Sequence, residues 1–197
     1  MVLIAPGIFT PPRPFLEGRL VAIMGTVNKY RAMADEYGCV VAMPGARGND
    51  AGADMRENDL LDVIADVERC YPIDRDRIYG CGACEGGTQT FLLAAHHPDL
   101  FAAVGALAPA VDVSGAPRGA LSPAEPVELL ANLTHVPMFV LHSIGDESPF
   151  ANSVEFVRLC KSKGLDATLR LMSGGSHRAQ TEDMEQLLWA FFLGRRP

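Results

Sequence analysis

The sequence predicts an α/β fold: a doubly wound, mostly parallel sheet of about six strands with helices on both faces. Three observations carry this. Short apolar runs alternate with longer amphipathic stretches along the whole chain. The short runs are continuously apolar rather than alternating, as strands covered on both faces require. One of them runs into a glycine-rich turn that opens directly into a helix.

Taken in order, residues 2–6 (VLIAP) form the first expected strand. A helix follows over about 19–37, where Leu20, Ile23, Met24, Val27, Met33, Ala34 and Tyr37 recur at helical spacing and Gly38 stops the run. Residues 20–24 (LVAIM) equally suit a strand, which leaves the order of elements open there. Strand 39–43 (CVVAM) and helix 56–70 come next, then strand 77–81 and helix 84–97. Strand 103–108 (AVGALA), strand 137–142 (PMFVLH), helix 150–163, strand 167–172 (ATLRLM) and helix 178–193 complete the alternation. The proline-rich stretches 10–14 and 109–126 read as loops, and no repeat or compositional break divides the chain. The expectation is therefore one domain over residues 1–197.

Between strand 77–81 and its helix lies Gly82-Ala83-Cys84-Glu85-Gly86, a Gly-x-nucleophile-x-Gly turn with cysteine where serine is commoner. A strand turning straight into a helix strains the apex residue, and flanking side chains would collide with the packed elements. Such strain lifts the nucleophile clear of the sheet and sets its thiol beside the helix's first free N–H groups, which favour a thiolate. The plain alternative is a glycine-rich turn with a buried cysteine. Two other strand ends add weight. Asp146 follows strand 137–142, and His177 follows strand 167–172 within Ser-Gly-Gly-Ser-His-Arg. Ligands in such sheets sit beyond the carboxyl ends of the strands. The order nucleophile, acid, histidine is the one this topology uses for a catalytic triad.

The chain resembles the α/β-hydrolases, and within them the polyhydroxybutyrate-depolymerase and feruloyl-esterase-like branch. The residues that carry the likeness are Tyr71 to Gly80 leading into Gly82–Gly87, His97 to Val104, the acid loop Leu141 to Phe150, and residues 33–44 (MADEYGCVVAMP). The likeness extends over about residues 1–193. A cysteine nucleophile is instead the habit of dienelactone hydrolases, which share the fold. Against the pattern of the branch, the chain begins at what would be the third strand, a minimal form lacking the first two. Pro6-Gly7 stands where the branch has His-Gly.

The resemblance implies a hydrolase that cleaves a carboxylic ester, lactone or thioester through Cys84, His177 and Asp146 and an acyl-enzyme. Backbone N–H groups of Glu85 and Ile8 would hold the oxyanion. A small-molecule ester is the expected partner, and neither cofactor nor metal is expected.

Other readings attach to the same residues. Asp146 could cap the helix near Pro149, with Glu147 as the competing acid. Cys81-Gly82-Ala83-Cys84 is also a Cys-x-x-Cys, so a thiol redox protein is an alternative, although Gly86-Gly87 suits a redox helix poorly. A catalytically degenerate binding protein on the same fold is another. Zinc would need two more ligands, and adjacent His96-His97 lack the usual spacing. Those two histidines read as helix-end groups, and His135 and His142 as packing groups or supports for the site. Asp74 and Asp76 belong to the turn before the nucleophile strand.

Composition narrows the function classes. A formal net charge of −7 argues against nucleic acid or an anionic membrane as partner. No apolar run approaches membrane-spanning length, and Met-Val-Leu-Ile-Ala-Pro-Gly shows no export signal. Five cysteines is an odd number, and Cys39, Cys70 and Cys160 sit in apolar or amphipathic stretches. They read as reduced thiols, so a cytoplasmic location is expected.

Overall fold

Six parallel strands form one sheet in the order β2-β1-β3-β4-β5-β6. The computed structural model describes residues 1–5, 30–44, 53–111, 129–146, 150–175 and 182–195. The strands are β1 (Val2–Ala5), β2 (Val41–Ala42), β3 (Tyr79–Ala83), β4 (Ala103–Leu107), β5 (Met138–Ser143) and β6 (Ala167–Met172). The helices are α1 (residues 30–37), α2 (Ala53–Cys70), α3 (Glu85–His96), α4 (Phe150–Ser162) and α5 (Glu182–Gly194). The strand-or-helix choice at residues 20–24 lies outside the described residues.

Strand alternation sorts the core into two clusters. Leu3, Ala5, Val104, Ala106, Met138 and Val140 pack toward α2, α3 and α4, among Leu60, Ile64, Phe91 and Phe156. Val2, Ile4, Tyr79, Cys81, Leu107 and Leu141 face α1 and α5, among Met33, Leu188, Trp189 and Phe192. The sheet is therefore wound on both sides. β6, at one edge, is half-covered and exposes Thr168 and Arg170, which accounts for the polar residues in an otherwise apolar run.

β3 begins two residues later than expected and ends at Ala83, immediately before Cys84. The shift has a local cause. Asp74 accepts from the Asp76 N–H at 3.1 Å and from Arg77 Nε at 2.6 Å, closing residues 75–77 into a short 3-10 turn. That turn delays the strand.

Glycine lets α5 settle directly on the sheet. A Cβ on Gly105 would stand 2.1 Å from Leu188 Cδ1, so α5 sits against bare β4 backbone. Gly105→Ala should destabilise the protein by about 1–3 kcal/mol through overpacking. Adding Leu188→Ala should make the loss less than the sum of the two single changes. Urea unfolding of the four proteins checks this, and strict additivity would contradict the contact.

Candidate active site

At the end of β3 the backbone of Cys84 takes φ 54° and ψ −124°, a conformation that costs a residue with a Cβ on the order of 1–3 kcal/mol. The surroundings enforce it. The Cys84 N–H donates to the Leu107 carbonyl of β4 at 3.0 Å. The Cys84 carbonyl accepts from the Gly87, Thr88 and Ala110 N–H groups at 3.1, 3.3 and 3.2 Å. Gly82 and Gly87 make the turn possible. A Cβ on Gly82 would lie 2.4 Å from the Gly86 carbonyl carbon, and one on Gly87 would lie 2.8 Å from Ala106 Cβ. α3 thus starts against β3, and Thr90 Oγ1 donates to the Gly86 carbonyl at 2.8 Å one turn on.

The thiol is half-buried, and the Glu85 N–H bonds to it. That bond pulls its pKa down, as the helix start leads one to expect, but burial pushes harder in the other direction. The charges of Glu85 and Asp146 add to the rise. Among the described groups the thiol therefore titrates above the ordinary cysteine range, contrary to the expectation that the helix N–H groups alone favour a thiolate. The Glu85 side chain is itself buried and accepts from Gln89 Nε2 at 3.2 Å.

Asp146 comes to the same end of the sheet. The chain leaving β5 turns at once, with the Asp146 N–H on the Ser143 carbonyl at 3.2 Å, and the carboxylate is buried. Its charge reaches the Cys84 thiol. Its Oδ2 lies 3.6 Å from Nε2 of the buried His142. Ser143 fastens this loop to the next. Its hydroxyl donates to the Gly174 carbonyl and accepts from the Gly145 N–H at 3.2 Å. Gly174 and Gly175, both at positive φ, carry the chain out of β6 toward residue 177.

Cys84, Glu85 and Asp146 thus gather at the carboxyl ends of β3 and β5. Ile8, His177 and Glu147 lie outside the described residues. Sequence reasoning missed Ser143 and Ser153. Ser153 had a readable signal, since it shares an i, i+3, i+4, i+7 core face with Phe156, Val157 and Cys160 yet is polar.

The remaining candidates fall elsewhere. Cys81 is buried in the core facing α5, and burial drives its thiol pKa far up. That is the reverse of what a redox dithiol needs. His96 Nδ1 and His97 Nε2 both meet the Glu57 carboxylate of α2, at 2.5 and 2.9 Å, so they tie α3 to α2. His135 sits at the surface 3.5 Å from Asp99. A cleft of about 450 Å³ between Arg75, Asp99, His135 and Arg195 opens at the amino ends of the strands, away from Cys84.

No protein-family model matches the chain. One 83-residue stretch is 35% identical to a thermostable monoacylglycerol lipase of Bacillus sp. (strain H-257), covering 39% of this chain and 33% of that lipase. The chain therefore spans about a third of the length of this relative. Solved structures match over nearly all of it. A ferulic acid esterase aligns with TM-score 0.71 at 18% identity, over 99% of this chain and 83% of its own. The S-formylglutathione hydrolase FrmB of Staphylococcus aureus aligns with TM-score 0.72 at 14% identity, over 100% and 80%. Est1E of Butyrivibrio proteoclasticus, solved with ferulic acid bound, aligns with TM-score 0.67 at 16% identity, over 98% and 88%. At these identities the likeness fixes the fold, the α/β-hydrolase fold.

Ser143→Ala should loosen the tie between the acid loop and the loop leaving β6. We expect a loss of about 1–3 kcal/mol, because the Gly174 carbonyl loses its donor. Hydrogen exchange should also quicken at Gly145, whose N–H loses its acceptor. Unchanged exchange there would contradict the clamp.

Proposed function

We propose that this protein is a carboxylic-ester hydrolase in which Cys84 is the nucleophile, His177 the general base and Asp146 the residue that orients it. The observation that carries the reading is the strained backbone at Cys84, enforced by Gly82 and Gly87 at the end of a central strand. Strain of this kind is costly and is characteristically kept where a reactive group must be held in place. Asp146 supports the reading from two strands away, about 10 Å across the sheet. An imidazole with a hydrogen bond at each nitrogen spans most of a gap of that width. The hydrogen bond from Ser143 to the Gly174 carbonyl supports the choice of His177, because it ties the acid loop to a residue three positions before 177.

In the proposed reaction His177 removes the Cys84 proton and sulfur attacks the ester carbonyl. A C–S bond forms and the carbonyl electron pair moves onto oxygen. The N–H groups of Glu85 and Ile8 hold that oxyanion. The pairing of Ala5 with Gly82 supports the second donor, because the last residue of β1 lies beside the strand end that precedes Cys84. Collapse expels the alkoxide, which takes the proton from His177. Water, deprotonated by His177, then attacks the thioester, the C–S bond breaks and the thiolate regains its proton.

Burial pushes the Cys84 thiol pKa up, so a base beside the sulfur is needed to form the thiolate. A thiolate is also a good leaving group, so an amide's tetrahedral intermediate tends to expel sulfur. Esters with good leaving groups, lactones and thioesters are therefore the proposed substrates. Of the similar proteins, the S-formylglutathione hydrolase by its name acts on a thioester, and the monoacylglycerol lipase and ferulic acid esterase by theirs on esters, which supports acyl transfer to water as the reaction class.

A panel of p-nitrophenyl esters tests the function. The wild type should turn over short-chain esters, and Cys84→Ala should abolish turnover. Asp146→Asn should cut kcat by about two to four orders of magnitude with little loss of stability, because the amide favours the wrong histidine tautomer. Near-normal turnover in Asp146→Asn would remove that residue from the mechanism and make Glu147 the acid to test. Silence in every protein, including Cys84→Ser, would favour a binding protein on this fold.

Thiol titration gives a second prediction. In His177→Ala, alkylation of Cys84 by iodoacetamide should stay slow at neutral pH and rise only above about pH 8.5, where an ordinary thiol ionises. The sign follows from burial, which disfavours the thiolate. Fast alkylation of this variant at pH 7 would contradict the assignment of the base.

A further inference from the structure

We propose that His142 is a positioning residue for the Asp146 carboxylate and is itself held by Ser153. The inference rests on the reading of Asp146 as the triad acid. His142 is the penultimate residue of β5 and points to the face that α4 covers, with 1% of its surface exposed. Its Nδ1 lies 2.8 Å from Ser153 Oγ on the first turn of α4, and its Nε2 lies 3.6 Å from Asp146 Oδ2. Ser153 is fully buried and the Asp146 side chain is 1% exposed.

Three polar side chains have thus been taken out of water in a row, at a cost of a few kcal/mol each unless they satisfy one another. An apolar residue at Ser153 would complete the face made by Phe156, Val157 and Cys160, so packing alone does not account for the serine. The ring chemistry supplies an account. When the Ser153 hydroxyl donates to Nδ1, the neutral ring carries its proton on Nε2, the nitrogen that faces Asp146. At 3.6 Å this N–H acts on the carboxylate as an aimed dipole rather than a full hydrogen bond. With Oδ2 drawn toward His142, the plane of the carboxylate is fixed, and with it the direction in which Oδ1 meets the catalytic base. Misplacing such a group by about 1 Å can cost a hundredfold in rate.

The test compares His142→Leu, His142→Gln, Ser153→Ala, Asp146→Asn and the His142→Leu/Asp146→Asn double variant. Each is assayed for kcat and KM on p-nitrophenyl butyrate, with a thermal midpoint from the same preparation. His142→Leu should lower kcat about tenfold to a hundredfold with KM unchanged. His142→Gln, which keeps an N–H donor at similar reach, should restore most of it. Ser153→Ala, which leaves the ring in place, should shift kcat in the same direction by less and stays readable if His142→Leu does not fold. In the double variant the His142 change should add nothing to the loss from Asp146→Asn. Equal loss of thermal midpoint in the leucine and glutamine variants, with kcat per folded molecule intact in these and in Ser153→Ala, would overturn the proposal. Full activity in Asp146→Asn would instead overturn the underlying reading of Asp146, and the role of His142 with it.

Discussion

Everything at the reactive end of this sheet depends on the backbone of Cys84 being held at positive φ. A free chain would relax out of that conformation. Here the Leu107 carbonyl takes the Cys84 N–H, and the N–H groups of Gly87, Thr88 and Ala110 converge on the Cys84 carbonyl. Each hydrogen bond is modest, but together they offset strain on the order of 1–3 kcal/mol. The glycines matter because the turn has no room: strand and helix backbones approach so closely at Gly82 that any side chain there would overlap Gly86. One consequence reaches further. The bond from Cys84 to Leu107, together with that from the Ala108 N–H to the Leu141 carbonyl at 2.7 Å, knits the ends of β3, β4 and β5 into one rim. Ala108 is itself at positive φ, so the rim carries two strained residues side by side.

The strand order places that rim where a ligand can reach it. From β1 the chain crosses one way to β2, then returns over β1 to β3 and continues outward to β6. The crossovers diverge between β1 and β3, and in such sheets ligands sit at the carboxyl ends of the strands beside that switch in order. Cys84 stands at the carboxyl end of β3, beside this switch point, and Asp146 follows β5 at the same end of the sheet. The helix pair α1 and α5 on one side and α2, α3 and α4 on the other follow from the same winding.

Much of this was legible in the sequence because the relevant signals are local. Continuous apolar runs mark buried parallel strands, and Gly82 and Gly86 around Cys84 mark the strained turn. Asp146 stands directly after an apolar strand and reaches the same end of the sheet as Cys84. What was not legible depends on contacts between distant elements. Whether the helix N–H groups or burial wins at the Cys84 thiol is a balance that only the packed site sets, and burial wins. The start of β3 depended on an aspartate-capped turn whose reach exceeds what apolar periodicity reveals. The contact of His142 with both Ser153 and Asp146 joins a strand, a loop and a helix, and no spacing rule anticipates it. Ile8 and His177 were read from the sequence and lie outside the described residues.

The central claim is that strain at Cys84 serves covalent chemistry on its sulfur. The most direct measurement is rapid acid quenching of the protein mixed with excess p-nitrophenyl acetate, followed by peptide mass spectrometry. The account predicts an acetyl group on the peptide that carries Cys84, formed with the burst of p-nitrophenol and lost as turnover is exhausted. It should be absent from Cys84→Ala. Ester turnover with the acetyl group on another residue, or with none on Cys84 at any quench time, would contradict it.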